Sequence, residues 1–160
     1  MNAAVLGTVG AAFVVFAVWA LYSLPAYVNN RRIVAASPGA IVLATGCGSA
    51  MNQVLDDWSE GPAGFPLLFS LVATPMGIVL RKRADSELLS IPWRDVASVT
   101  PMMIQERART SNGVQLAVRS HGAEVLLPFI ILGRGPFGSF PERTAVISRA
   151  CAAMESWRLP

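Results

Sequence analysis

The side chains able to carry chemistry are few, and their spacing argues against catalysis. His121 is the single histidine. It stands beside Gly122 in a turn-like stretch, with no acid or cysteine spaced to orient it, and so reads as a solvated turn residue rather than a general base. Asp56 and Asp57 are adjacent and therefore diverge, which suits a loop and not a carboxylate pair about a scissile bond or a metal. Gly133, Gly135 and Gly138 repeat the glycine spacing of a dinucleotide loop, with Glu155 about where an acid would hold the ribose. Glu155, however, falls within a helical pattern and not at the end of a second parallel strand. Cys47 and Cys151 lie far apart and match no metal-ligand spacing. The expectation is a protein with no catalytic residue, no metal site and no cofactor.

Charge is the next resource. There are 13 basic residues and 10 acidic ones, for a net charge of +3, and Lys82 is the only lysine. The sign alternates along the chain, from Arg31-Arg32 through Asp56-Asp57-Glu60 to Arg81-Lys82-Arg83. A nucleic-acid binder gathers its cations on one face, so nucleic acid is not the expected partner. The two basic runs, Arg31-Arg32 and Arg81-Lys82-Arg83, are the lipid-facing candidates. Each charge near an anionic surface contributes on the order of 1 kcal/mol, and strand alternation would put Arg81 and Arg83 on one face.

These residues must be positioned by an apolar N-terminal segment and a modest domain. No Asp, Glu, Lys or Arg occurs before Arg31, and Ala3 to Leu24 is uncharged over about the 20 residues that a membrane-crossing helix needs. Trp19, Tyr22 and Tyr27 collect at its far end, as interfacial aromatics do, and Arg31-Arg32 follow. The positive-inside rule then predicts a single-pass helix in the cell membrane, N-terminus outside and domain in the cytoplasm. A cleaved signal peptide fits less well, because a basic n-region is missing and the apolar core is too long. Ala44-Thr45-Gly46-Cys47 only loosely matches a lipoprotein processing box. Gly7 and Ala11 form a small-xxx-small pair that would admit a second helix, and these two are the helix-contact candidates. The expected division is a transmembrane helix over 1–30, a connector over 31–39 and a β domain over 40–160.

Within the domain, Ile41-Val42-Leu43 opens a strand over 40–46, and a short helix is expected from Ser49 to Trp58. Gly61 to Leu80 is uncharged but broken by Pro62, Pro66 and Pro75, which argues for strands joined by turns. Thr74-Pro75-Met76-Gly77 joins strands over 67–74 and 77–83. Further strands are expected over 88–91, from Val96 to about Arg109, over 114–119 and over 124–132, with Pro101 at an edge or bulge. Ser111-Asn112-Gly113 reads as a tight turn. Ser139 and Glu142 fit a capping box that starts a helix whose buried face holds Ile147, Cys151, Met154 and Trp157.

Seven antiparallel strands followed by one helix is the element order of a pleckstrin-homology (PH) fold. Leu71 to Leu80 resembles the second and third strands of the small bacterial version. Leu89-Ser90-Ile91-Pro92-Trp93-Arg94-Asp95-Val96 resembles its isoleucine-proline-aromatic turn into the next strand. The resemblance, to membrane-anchored bacterial PH-like proteins, covers about 40–157. It implies a partly open barrel capped by the C-terminal helix, and a task in binding phosphoinositides, binding proteins or scaffolding. Lipid-binding members use Lys and Arg in the loop between the first two strands. Here Cys47 to Phe65 carries Asp56, Asp57 and Glu60 and no basic residue. The resulting expectation is a non-enzymatic accessory or scaffold subunit of an integral membrane protein complex. The alternative is an anionic-lipid-binding module. Phe137 and Phe140, aromatics in a Gly-rich loop after an apolar strand, are the partner-anchor candidates.

Overall fold

Apolar residues at every second position, interrupted by Gly and Pro, give strands that cover one another through a shared inner face. The computed structural model describes residues 3–46, 51, 54, 68–106, 109–120, 122–133 and 142–158, with side chains of the first helix described at intervals from Phe13 onward. Helix α1 (Ala3–Ala36) is followed by β1 (Ile41–Gly46), β2 (Leu68–Thr74), β3 (Gly77–Arg83) and β4 (Ser86–Pro92). A 3-10 turn (Trp93–Asp95) leads into β5 (Val96–Glu106), β6 (Arg109–Ser120) and β7 (Ala123–Ile131), and α2 (Thr144–Arg158) closes the order.

The seven strands form one antiparallel sheet in the order β4-β3-β2-β1-β7-β6-β5. The expected barrel is corrected: β4 and β5 stand at opposite edges, and the sheet is open. Its join is short, for β1 meets β7 only at Thr45↔Ile131 and Gly46↔Ile130, supplemented by the Leu132 N–H donating to the Ala44 carbonyl at 2.9 Å. The inner face carries Leu43, Phe69, Leu71, Ile78, Leu80 and Phe129, and α2 covers it with Ile147, Cys151 and Met154. Phe69 and Phe129 meet edge to face at 6.2 Å, which ties β2 to β7 across the curl of the sheet. Trp93 is buried with its Nε1–H donating to the Thr74 carbonyl at 2.8 Å, so the Ile-Pro-Trp turn clamps the β2–β3 hairpin.

The transmembrane expectation is also corrected. Among the described residues no helix is long and apolar enough to cross a membrane. The single-pass placement, N-terminus outside and domain in the cytoplasm, falls with it. Helix α1 runs unbroken through Pro25 to Ala36, so Arg31 to Ala36 is helix rather than connector. The chain then turns at Ser37-Pro38-Gly39-Ala40, where the Ala40 N–H donates to the Ser37 carbonyl at 3.1 Å. Gly39 has φ 80°, the left-handed value that follows Pro in a type II turn.

Two local expectations change, one through sterics and one through hydrogen bonding. Ser111-Asn112-Gly113 is not a turn but part of β6, paired Ile104↔Ser111, Met103↔Asn112 and Met102↔Gly113, and the β5–β6 pairing runs on to Glu106↔Arg109. A Cβ at Gly113 would collide with the Phe129 carbonyl oxygen and the Ile104 side chain. The glycine is there for close strand approach. Helix α2 begins at Thr144, later than the capping box at Ser139 predicts. Glu142 is tied to the sheet instead, its N–H donating to the Ile131 carbonyl at 3.3 Å and its carbonyl accepting from Asn112 Nδ2 at 3.0 Å. Ser139 itself, and the helix expected over 49–58 apart from Met51 and Val54, lie outside the described residues.

Candidate functional site: where the first helix meets the sheet

Strand alternation gives β1 to β3 a second, outer face made of Val42, Ala44, Ser70, Val72, Val79 and Arg81, as the pairs Val42↔Val72, Ala44↔Ser70 and Ser70↔Arg81 show. An outer face with valines needs a cover, and the last turns of α1 supply it. Ile33 is fully buried. Asn30 Oδ1 accepts from Ser70 Oγ at 2.9 Å, and Asn29 Nδ2 donates to the Lys82 carbonyl at 2.6 Å. Asparagine is a poor residue inside a helix. Two in succession therefore signal partners, and this signal was legible in the sequence although its targets were not.

This docking brings together two basic runs separated by 50 residues. Arg31 and Arg32 are exposed on α1, and Lys82 and Arg83 are exposed at the end of β3. Arg81 stands apart. It is half-buried, its Nη1 donates to the Ala84 carbonyl at 3.1 Å, and its Nε is buried without a hydrogen-bond partner among the described residues. Irregular register between Leu80 and Arg83 breaks the simple alternation by which Arg81 and Arg83 would share a face. Asp85 and Glu87 follow in the β3–β4 hairpin and temper the field. The Arg31 guanidinium lies 5.6 Å over the Tyr27 ring, a cation–π contact one helical turn long.

Between Phe13 and Val28 the exposed side chains described on α1 are mostly apolar. Val14, Leu21, Leu24 and Val28, at helical spacings of seven, three and four, are exposed, and Phe13 beside them is 70% exposed. Arg31 and Arg32 close this stripe one turn further on. Gly7 and Ala11 belong to α1, but their side-chain surroundings are outside the described residues. Phe137 and Phe140 are outside them too, as are Cys47, Asp56, Asp57 and His121.

On its flank α1 leaves a groove of about 500 Å³ against the sheet. Tyr27, Asn30, Arg31 and Val34, one helical stripe, form one wall. Val42, Ala44, Leu68 and Leu132 form the floor where β1 parts from β7, and Lys82 and Glu142 stand at its margins.

The other residues flagged for chemistry have structural work. Glu155 Oε1 accepts from the Val99 backbone N–H at 2.5 Å, and Oε2 accepts from Arg158 Nε at 2.6 Å. Cys151 is a buried free thiol whose pKa burial and then the Glu155 carboxylate push up to about 11. Among the described residues no group of three His, Cys, Asp or Glu side chains is placed to hold a metal ion. Compared with known proteins, the chain matches no family model and no curated sequence.

Proposed function

We propose that the protein is a non-enzymatic accessory or scaffold subunit of a larger membrane protein complex. It joins the complex through the exposed stripe of α1 and presents a PH-like sheet domain beside it. The observation that supports this most is the stripe itself. Exposed apolar side chains run along α1 from Phe13 to Val28, ahead of the last turns that Asn29, Asn30 and Ile33 anchor to the sheet. A contiguous exposed apolar surface on a fixed support is the mark of an interaction surface, and burying each such side chain contributes about 1.5–3 kcal/mol. The order of seven antiparallel strands and a helix agrees with the PH-like reading of the domain.

Replacing Phe13, Val14 and Leu21 with Ser tests this, since all three are exposed and contribute nothing to the sheet. Cross-linking in cells should capture a partner with the wild-type chain and lose it with the triple variant, while the thermal transition of the domain stays in place. A wild-type chain that migrates alone after mild extraction, with no cross-linked partner, defeats the proposal.

A second reading, binding of an anionic lipid surface, is favoured by the convergence of Arg31 and Arg32 with Lys82 and Arg83 at the end of the apolar stripe. Vesicles containing phosphatidylglycerol should bind the full chain and release it as salt rises. Lys82→Ala with Arg83→Ala should weaken binding at least tenfold, at ~1 kcal/mol per charge. Arg81→Ala should have a smaller effect, because that guanidinium is committed to the Ala84 carbonyl. Equal binding to phosphatidylcholine vesicles would remove this reading.

A further inference from the structure

The geometry points to the groove beside α1 as a binding site for a single-chain anionic amphiphile, its hydrocarbon tail lying between the helix and the sheet and its headgroup held by Arg31 and Lys82. Volume comes first. At about 500 Å³ the groove falls in the range that takes a small organic ligand, roughly 300–1,000 Å³. The lining is suited to a tail. Val34, Val42, Leu68, Leu132 and Val146 contribute hydrocarbon, and three polar groups among them are already engaged within the protein: Asn30 Oδ1 accepts from Ser70 Oγ, and Thr45 Oγ1 donates to the Phe69 carbonyl at 3.0 Å. A tail placed there displaces water from the apolar walls.

Charge selects the head. Arg31 and Lys82 both border the groove, one from the helix and one from the strand, and among the described residues neither is in a salt bridge. Among the described residues the one acid on the border is Glu142, just ahead of α2, where its Oε1 accepts from the Arg143 backbone N–H at 3.0 Å. The groove is therefore cationic at one end and anionic at the other. An anionic head is drawn to the Arg31–Lys82 end and repelled from the other, which sets the direction of the tail.

This site differs from the vesicle-binding surface in needing the tail enclosed. The test uses the full chain with palmitate, with the monoglyceride of the same tail, and with inorganic phosphate. Palmitate should bind saturably and raise the melting temperature with concentration. The monoglyceride should bind at least tenfold more weakly, and phosphate should not bind. Val34→Trp, at a half-exposed position on the groove wall, should abolish palmitate binding with vesicle binding unchanged. Lys82→Ala with Arg31→Ala should bring palmitate down to the affinity of the monoglyceride. As a readout independent of any variant, a diazirine-bearing palmitate should label peptides from 27–35 and 42–45. Labelling confined to other peptides, or palmitate affinity untouched by Val34→Trp in a chain that melts normally, overturns the assignment.

Discussion

Cys151 couples burial to pH. Its thiol is held at about 11 against an ordinary 9.0, first by loss of solvation and second by the Glu155 carboxylate. Because the folded value is the higher one, the unfolded chain loses its proton first as pH rises. Stability is therefore level in this respect below about pH 9 and falls from there toward pH 11. Denaturant unfolding at stepped pH should show that decline in wild type and a flatter segment in Cys151→Ala. Identical slopes would refute the role of the thiol. At neutral pH the same residue should resist thiol reagents until the protein unfolds, since the thiolate is the reactive form. Gly77 illustrates a different residue-scale constraint. A Cβ there would stand 2.6 Å from the Ile91 carbonyl oxygen, so the β2–β3 hairpin can lie against β4 only with glycine at this point.

At the scale of elements, the informative contacts are those by which helices complete the sheet. Strand β5 is an edge, and an unpaired edge invites further pairing. Here Val99 has its N–H occupied by Glu155 of α2, and Pro101, two residues on along the same side, has none to offer. The helix and the proline together blunt the edge. Helix α1 is held by less: one buried isoleucine and two asparagine side chains. Burial of Ile33 and two hydrogen bonds of about 1 kcal/mol each fix its last turns. Ile33→Ala should cost about 2–4 kcal/mol of docking. Hydrogen exchange is expected to accelerate at 27–36 while β5, β6 and β7 keep their protection, because the outer face and the inner core are separate clusters. Uniform loss of protection would mean that α1 is part of a single cooperative core.

For the whole molecule, the sheet has unequal sides. The inner side is closed by α2 into one core that runs from Leu43 to Met154. Among the described residues the outer side of β1 to β3 is covered by the end of α1, where Arg31, Arg32, Lys82 and Arg83 and the groove at the β1–β7 join lie, and the apolar stripe runs on from there along the helix. The three binding proposals draw on one junction but separate experimentally, since Phe13, Val14 and Leu21 test the stripe, Lys82 and Arg83 the charge, and Val34 the groove.

Much of the framework was legible in the chain itself. Alternation and Pro/Gly punctuation located β2, β3, β4 and β7 to within a residue or two, because those signals are local and short-range sterics decide them. The buried face of α2, with Ile147, Cys151 and Met154, followed from its helical period. Other features depended on neighbours far away in sequence. Asn112-Gly113 carries the strongest turn signal in the chain, yet the need for Phe129 and Ile104 to close on Gly113 draws it into a strand. The hydropathy of Ala3 to Leu24 describes a segment in isolation. It contained no hint that the helix continues through Pro25, docks by Asn29, Asn30 and Ile33, and carries Arg31 to the side of Lys82. Local pattern determines which elements form, whereas the meeting of two basic runs and the groove beside them arise only when helix and sheet pack, because packing alone joins residues that the chain holds 50 positions apart.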